Sequence, residues 1–263
     1  MRWRSAGVAG VVAALLAACG SGGGSPAAGS RGGSGSSPSA AGDAQVVVLA
    51  AASLTEPLTA LAEDYERDHP GVDVALSFGS STTLAQQVAE GAPADLVAFA
   101  GTNALKVLPA DVTARGGRAT IARNTMEIAT PPDNPGEVDA LADLSREDLD
   151  VVLCASTVPC GSAADTVLAN AGIEAHVVSR EVDVKATLAK VRLGEADAAV
   201  VYHSDVVSAG DSVRGVPIPA AQNTTLDYPL LWLDGDEHTV GFASLVRGPE
   251  GVAELTAAGF LAP

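Results

Sequence analysis

Aromatic residues are scarce in this chain. Of its 263 residues, four are Phe, three Tyr and two Trp. A core must therefore be assembled from Ala, Val and Leu, and an apolar share of 47% supplies ample material for one. Basic residues are also few: 15 Lys and Arg stand against 32 Asp and Glu, a formal net charge of −17. Such a field repels phosphate backbones and acidic headgroups, which argues against nucleic acid and anionic lipid surfaces as partners. It also means that any small anion must be held by local dipoles. The marks of catalysis are missing too. Beyond residue 44 there is no G-x-S-x-G elbow, and there is no H-E-x-x-H anywhere. The four histidines, His69, His176, His203 and His238, are scattered, and no clustered His/Asp/Glu set suggests a cation site. The chain does not read as an enzyme, and it calls for no cofactor.

Long apolar runs are absent at membrane-spanning length. Residues 7–18 form an apolar stretch, preceded by Arg2 and Arg4, that is too short to cross a bilayer. This reads as an export signal over 1–18. It ends in "LAAC", which resembles the lipobox of bacterial lipoproteins, so Cys19 is the expected lipidated first residue of the mature chain. Residues 20–44 are rich in Gly and Ser with almost no large apolar residue, a composition that cannot build a core and suits a flexible tether. The expected address is the outer face of the cytoplasmic membrane, with the chain lipid-anchored and monomeric. With Cys19 assigned to lipid, Cys154 and Cys160 remain. In an exported chain an even remainder suggests a disulfide, with two free thiols as the other reading. So short a closed loop would contribute about 2 kcal/mol.

From residue 45 onward, short apolar runs alternate with segments of helical period. "QVVVLAA" (45–51) reads as a buried strand. In residues 55–68, Leu58, Leu61, Ala62 and Tyr65 share one helical face. "HPG" (69–71) stops that helix. A strand over 72–78, a helix over 84–91 and a strand over 95–100 follow. This β-α-β-α-β order predicts a parallel sheet covered by helices. Later come a strand at 151–154, helices near 162–171 and 183–193, strands at 196–202 and 227–233, and two closing helices near 237–257. The fold class is α/β. Two lobes are expected, the first from 45–122 plus 221–263 and the second from 123–220.

Parallel α/β sheets bind ligands at the carboxyl ends of their strands, where helix N-termini offer free N–H groups and a partial positive charge. Two stretches share the order strand, hydroxyl, helix. "VVVLAASLTE" places Ser53 after the first strand, and "VALSFGSSTTL" places Ser80 to Thr83 after the second. Each alone also reads as capping: Ser53-x-x-Glu56 as a capping box, Ser81 or Thr82 as an N-cap. Together, facing one crevice, they suggest an oxyanion pocket. "STVPCGSAAD" (156–165) is a third loop of this kind, and its Gly161 permits close backbone approach. "EVDVKATL" (181–188) opens a fourth helix, where Val184 offers only its backbone N–H. Tyr202 ends a buried strand, either with its phenol in the crevice or as a core or rim tyrosine. Lys185 and Arg192 read as solvated helix faces.

The segments "AASLTE", "SFGSSTTLAQQVAEGAPADLVAFA", "VPCGSAA", "DVKATLAKVRLGEADAAVVYHSD" and "YPL", with a closing "GF-x-x-P" at 259–263, run in order over 45–263. This set resembles the molybdate-binding proteins of ABC transporters. The resemblance implies a two-lobed periplasmic-binding-protein fold of type II with the ligand in the cleft between lobes. It implies capture of molybdate, and of tungstate, by neutral hydroxyl and backbone N–H donors, and delivery to a membrane permease. Carried over by position, the ligand set is Ser53, Ser81, Cys160, Val184 and Tyr202. Cys160 stands where the family usually has Ala, which leaves the backbone N–H in place, and a bridge to Cys154 would stiffen that loop. The alternatives are a receptor for another tetrahedral oxyanion such as sulfate, or a sensor or adhesion lipoprotein with no transport role.

Overall fold

The computed structural model describes residues 44–263. The expected signal over 1–18, Cys19 and the tether up to residue 43 lie outside the described residues. The chain runs through β1 (Ala44–Ala51), α1 (Thr55–Asp68), β2 (Val72–Gly79), α2 (Ser81–Ala89), β3 (Leu96–Ala98), α3 (Ala110–Thr113) and β4 (Gly117–Thr130). It continues through β5 (Val151–Cys154), α4 (Pro159–Ala171), β6 (Val177–Glu181), α5 (Val184–Arg192) and β7 (Ala198–Tyr202). It closes with α6 (His203–Ala209), β8 (Arg214–Pro217), β9 (Thr225–Trp232), α7 (Glu237–Arg247) and α8 (Pro249–Ala257).

The strands lie in the order β2-β1-β3-β9-β4-β7-β5-β6, with β8 also on β4. β1 pairs in parallel with both β2 and β3, as the alternating pattern predicts, and β5 pairs in parallel with β7 and with β6, a strand that the sequence reading did not place. β9 and β4 are the antiparallel members. Gly117–Thr125 of β4 pair with β9, and Met126–Ala129 pair with β7, so one strand changes partner between Thr125 and Met126. A register shift between Thr120 and Ala122 faces Pro229 of β9. Proline lacks the N–H that a regular ladder needs and is tolerated at such an irregularity.

Aliphatic side chains fill the core. Leu58, Leu61, Ala62 and Tyr65 form the buried face of α1, and Val184, Leu188 and Val191 that of α5, as their spacing predicts. Larger rings are used sparingly: Tyr202, Tyr228, Phe99 and Phe242 are the largest fully buried side chains. α2 starts at Ser81 and α4 at Pro159, each three residues before the expected start. Apolar periodicity is blind to a first turn built from hydroxyl and small residues, and Pro fits the first helical position.

Candidate functional site

The parallel strands deliver four loops to one place. Ser53 lies in the short turn Ala52–Leu54 between β1 and α1, and Ser81 is the first residue of α2. Cys160 is the second residue of α4, Val184 the first of α5, and Tyr202 the last of β7. All five line a single hollow of about 20 Å³, together with Gly79, Ser80, Ala100 and Asp183. Drug-sized ligands occupy several hundred Å³, so this volume suits a small ion. A larger groove of about 450 Å³, with Thr82, Thr102, Thr157 and Thr225 on its walls, adjoins it through the shared residues Ala100, Val158 and Pro159.

The hydroxyls here do not cap helices, which corrects both capping expectations. Ser53 Oγ lies 3.0 Å from the phenol oxygen of Tyr228, and Glu56 bonds to Lys185 rather than closing a capping box. Ser81 Oγ accepts from the backbone N–H of Ala100 at 2.9 Å. Thr82 Oγ1 donates to the carbonyl of Thr157 at 3.1 Å, across to the loop before α4. Neither α1, α2 nor α4 has a side-chain cap, whereas α5 is capped by Asp183, which accepts from the N–H of Ala186. Three uncapped helix N-termini at one hollow concentrate free N–H groups and positive dipole ends there.

Among the described residues, two polar atoms at the hollow are buried without a partner: the Ser80 hydroxyl and the Tyr202 phenol. Buried polar groups are nearly always satisfied, so such orphans call for an absent partner with acceptor atoms. Burial pushes the Tyr202 phenol well above its ordinary pKa, so it stays a neutral donor. Among the described residues no Lys or Arg lines the hollow, and the one carboxylate there, Asp183, is occupied by its cap. The set donates protons and carries no cation, which is the chemistry of an anion site made from dipoles.

Cys154 and Cys160 form a disulfide that ties the end of β5 to the start of α4. Gly161 completes this joint. A Cβ there would sit 2.0 Å from the Ala155 carbonyl oxygen and 2.6 Å from that of Cys154, closer than any side chain tolerates. Lys185 is not a solvated helix face. Its Nζ meets both Glu56 oxygens, at 2.7 and 2.8 Å, and lies 3.3 Å from the Asp205 carboxylate. His203 pairs with Glu127 and does not line the hollow.

The pattern of the family described as bacterial extracellular solute-binding protein matches residues 46–261. The chain belongs to that family. This solute-binding protein is 35% identical over 221 residues to the molybdate-binding protein ModA of Mycobacterium tuberculosis, covering 83% of this chain and 85% of that one. It is 32% identical to ModA of Haemophilus influenzae, over 74% and 80% of the two chains. Among solved structures, the periplasmic molybdate-binding protein of Azotobacter vinelandii superposes with a TM-score of 0.73 at 22% identity, covering 83% and 99%. That likeness shows the periplasmic-binding-protein fold.

The solute-binding protein also holds residues that sequence reasoning missed. Ser80 points an unpartnered hydroxyl at the hollow, and the run of four hydroxyls was its signal. Behind Ser53 stands a buried polar group of Tyr228, Asn124 and Ser204. Tyr228 sits in the "YPL" segment. Asn124 carried no signal, since its place opposite β9 depends on strand register.

Proposed function

We propose that this protein is an extracytoplasmic receptor that captures molybdate, and tungstate by the same chemistry, and delivers it to the permease of an ABC importer. The observation that carries this reading is the convergence of Ser53, Ser81, Cys160, Val184 and Tyr202 on one small hollow with no basic side chain among the described residues. Ser53, Ser81 and Tyr202 donate hydroxyl protons, and Cys160 and Val184 donate backbone N–H groups. A desolvated dianion needs a hydrogen bond to each oxygen, and charge-assisted bonds from neutral donors supply them. The family supports the receptor role, and the named molybdate-binding relatives of Mycobacterium tuberculosis and Haemophilus influenzae support the choice of anion.

The two lobes are 45–122 plus 221–263 and 123–220, joined through β4 and the approach to β9. Ser53 and Ser81 belong to the first, and Cys160, Val184 and Tyr202 to the second. An anion between them makes closure favourable, and the closed form is what a permease recognises. The protein acts by binding and not by catalysis, as a monomer held to the outer face of the cytoplasmic membrane through lipid on Cys19.

A thermal-shift panel with molybdate, tungstate, sulfate and phosphate tests this. A ligand at about 100 times its dissociation constant stabilises by roughly 2.7 kcal/mol. For a domain of this size that is a rise of about 5–10 °C. The reading expects that rise with molybdate and tungstate only. An equal rise with sulfate overturns the selectivity, and no rise with any of the four overturns the receptor.

A further inference from the structure

The hydroxyl of Ser53 can serve an anion only if its proton points into the hollow. What lies behind it decides that. Asn124 and Tyr228 are both fully buried and neither lines the hollow. The backbone N–H of Thr125 donates to Asn124 Oδ1 at 3.0 Å. A peptide N–H can only donate, so this bond fixes which end of the amide is oxygen. The Asn124 Nδ2 protons then go to Ser204 Oγ at 2.8 Å and to the Tyr228 phenol oxygen at 3.4 Å. The phenol has two partners, Asn124 Nδ2 and Ser53 Oγ. The amide nitrogen cannot accept, so the phenol proton goes to Ser53 Oγ. One of the two Ser53 lone pairs is thus filled from behind and its own proton is left for the hollow. Ser81 shows the same device in simpler form, with the Ala100 N–H filling one of its lone pairs.

We propose that Asn124 and Tyr228 form a relay that fixes Ser53 as an obligate donor and so sets the selectivity for fully deprotonated oxyanions. They are positioning residues, acting through Ser53. An anion that keeps a proton, such as hydrogenphosphate, brings a donor to a serine whose own proton already points at it and whose inner lone pair is filled by the phenol. Sites whose polar groups are committed in this way discriminate strongly, because the wrong partner leaves a buried group unpaired. The inference rests on the oxyanion reading of the hollow.

The test is calorimetric titration of the full chain with molybdate and with phosphate. Asn124→Leu removes the donor that directs the phenol and should weaken molybdate about tenfold. Asn124→Asp reverses the relay: the carboxylate accepts the phenol proton, the phenol accepts from Ser53, and Ser53 turns a lone pair to the anion. At pH 8 it should bind about 100-fold more weakly than wild type. The double variant Asn124→Asp with Tyr228→Phe cuts the relay and should bind about tenfold tighter than Asn124→Asp alone. A bare charge effect or a packing role predicts no such recovery. Because a carboxylate at position 124 is buried, Tyr228→Phe alone gives a second reading: the gap between molybdate and phosphate affinities should narrow. No recovery in the double variant, or an unchanged gap in Tyr228→Phe, overturns the relay alone. A wild-type chain that binds no oxyanion overturns the site reading and the relay with it.

Discussion

Each site hydroxyl has a defined job, and removing one tests it. Ser81→Ala leaves an anion oxygen short of a donor and the Ala100 N–H without its acceptor. Molybdate affinity should fall by about 1–3 kcal/mol, read by titration calorimetry, with an unchanged affinity counting against Ser81 as a ligand. Asp205 offers a different test. It is fully buried, and burial pushes its pKa up to about 7 although Lys185 opposes the shift. In the unfolded chain the group ionises near its ordinary value. Between about pH 4 and 7 the folded state therefore keeps a proton that the unfolded state has lost, and stability falls as pH rises through that window, by roughly 1.4 kcal/mol for each unit of difference. Asp205→Asn removes this loss. Its urea stability relative to wild type should increase from pH 5 to pH 8, and a pH-independent difference would contradict the assignment. The convergence of the five proposed donors on one hollow was legible in the sequence because each lies where a strand gives way to a helix. Lys185, Asn124 and Tyr228 were not legible in their roles, because partners such as Lys185 and Glu56 are set by how distant elements dock.

At the scale of elements, the site depends on where helices begin. The disulfide and the bare Cα of Gly161 press the first turn of α4 against the end of β5. Gly161→Ala should push that turn away, withdraw the Cys160 N–H and weaken molybdate about tenfold or more, read by calorimetry alongside a melting curve. Retained affinity would show that the α4 N-terminus is not a donor. The strands and helices with clean apolar runs, β1, α1, β2 and α5, follow their expected bounds closely. The long strand β4 was not legible. Its first half, "GRATIA", keeps polar residues on one side and begins at glycine, and its second half, "NTMEIAT", continues into a different partner. The starts of α2 and α4 were misplaced because hydroxyls, Pro and Gly carry no apolar period. Residues of those two first turns line the hollow, so the apolar pattern fades where the proposed site begins.

For the molecule as a whole, the hollow lies between contacts that join its two sides. Lys185 of α5 reaches Glu56 of α1, and Thr82 of α2 reaches the Thr157 carbonyl before α4. Both are partly exposed, so each is a modest clasp and not a lock. Lys185→Met should weaken molybdate by about 0.3–1 kcal/mol without touching the ligand, mainly through faster release in stopped-flow experiments. An unchanged release rate would place Lys185 outside the closing motion. The net charge of −17 makes the whole surface repel the anion, so binding rests on these local dipoles and should depend little on bulk electrostatic attraction. The most direct test of the central claim is anomalous X-ray diffraction at the molybdenum edge from a crystal soaked in molybdate. A single strong peak should appear in the hollow, its oxygens within hydrogen-bonding distance of Ser53, Ser81, Tyr202 and the N–H groups of Cys160 and Val184. A peak elsewhere, or an empty hollow in a chain that binds molybdate in solution, would contradict the account.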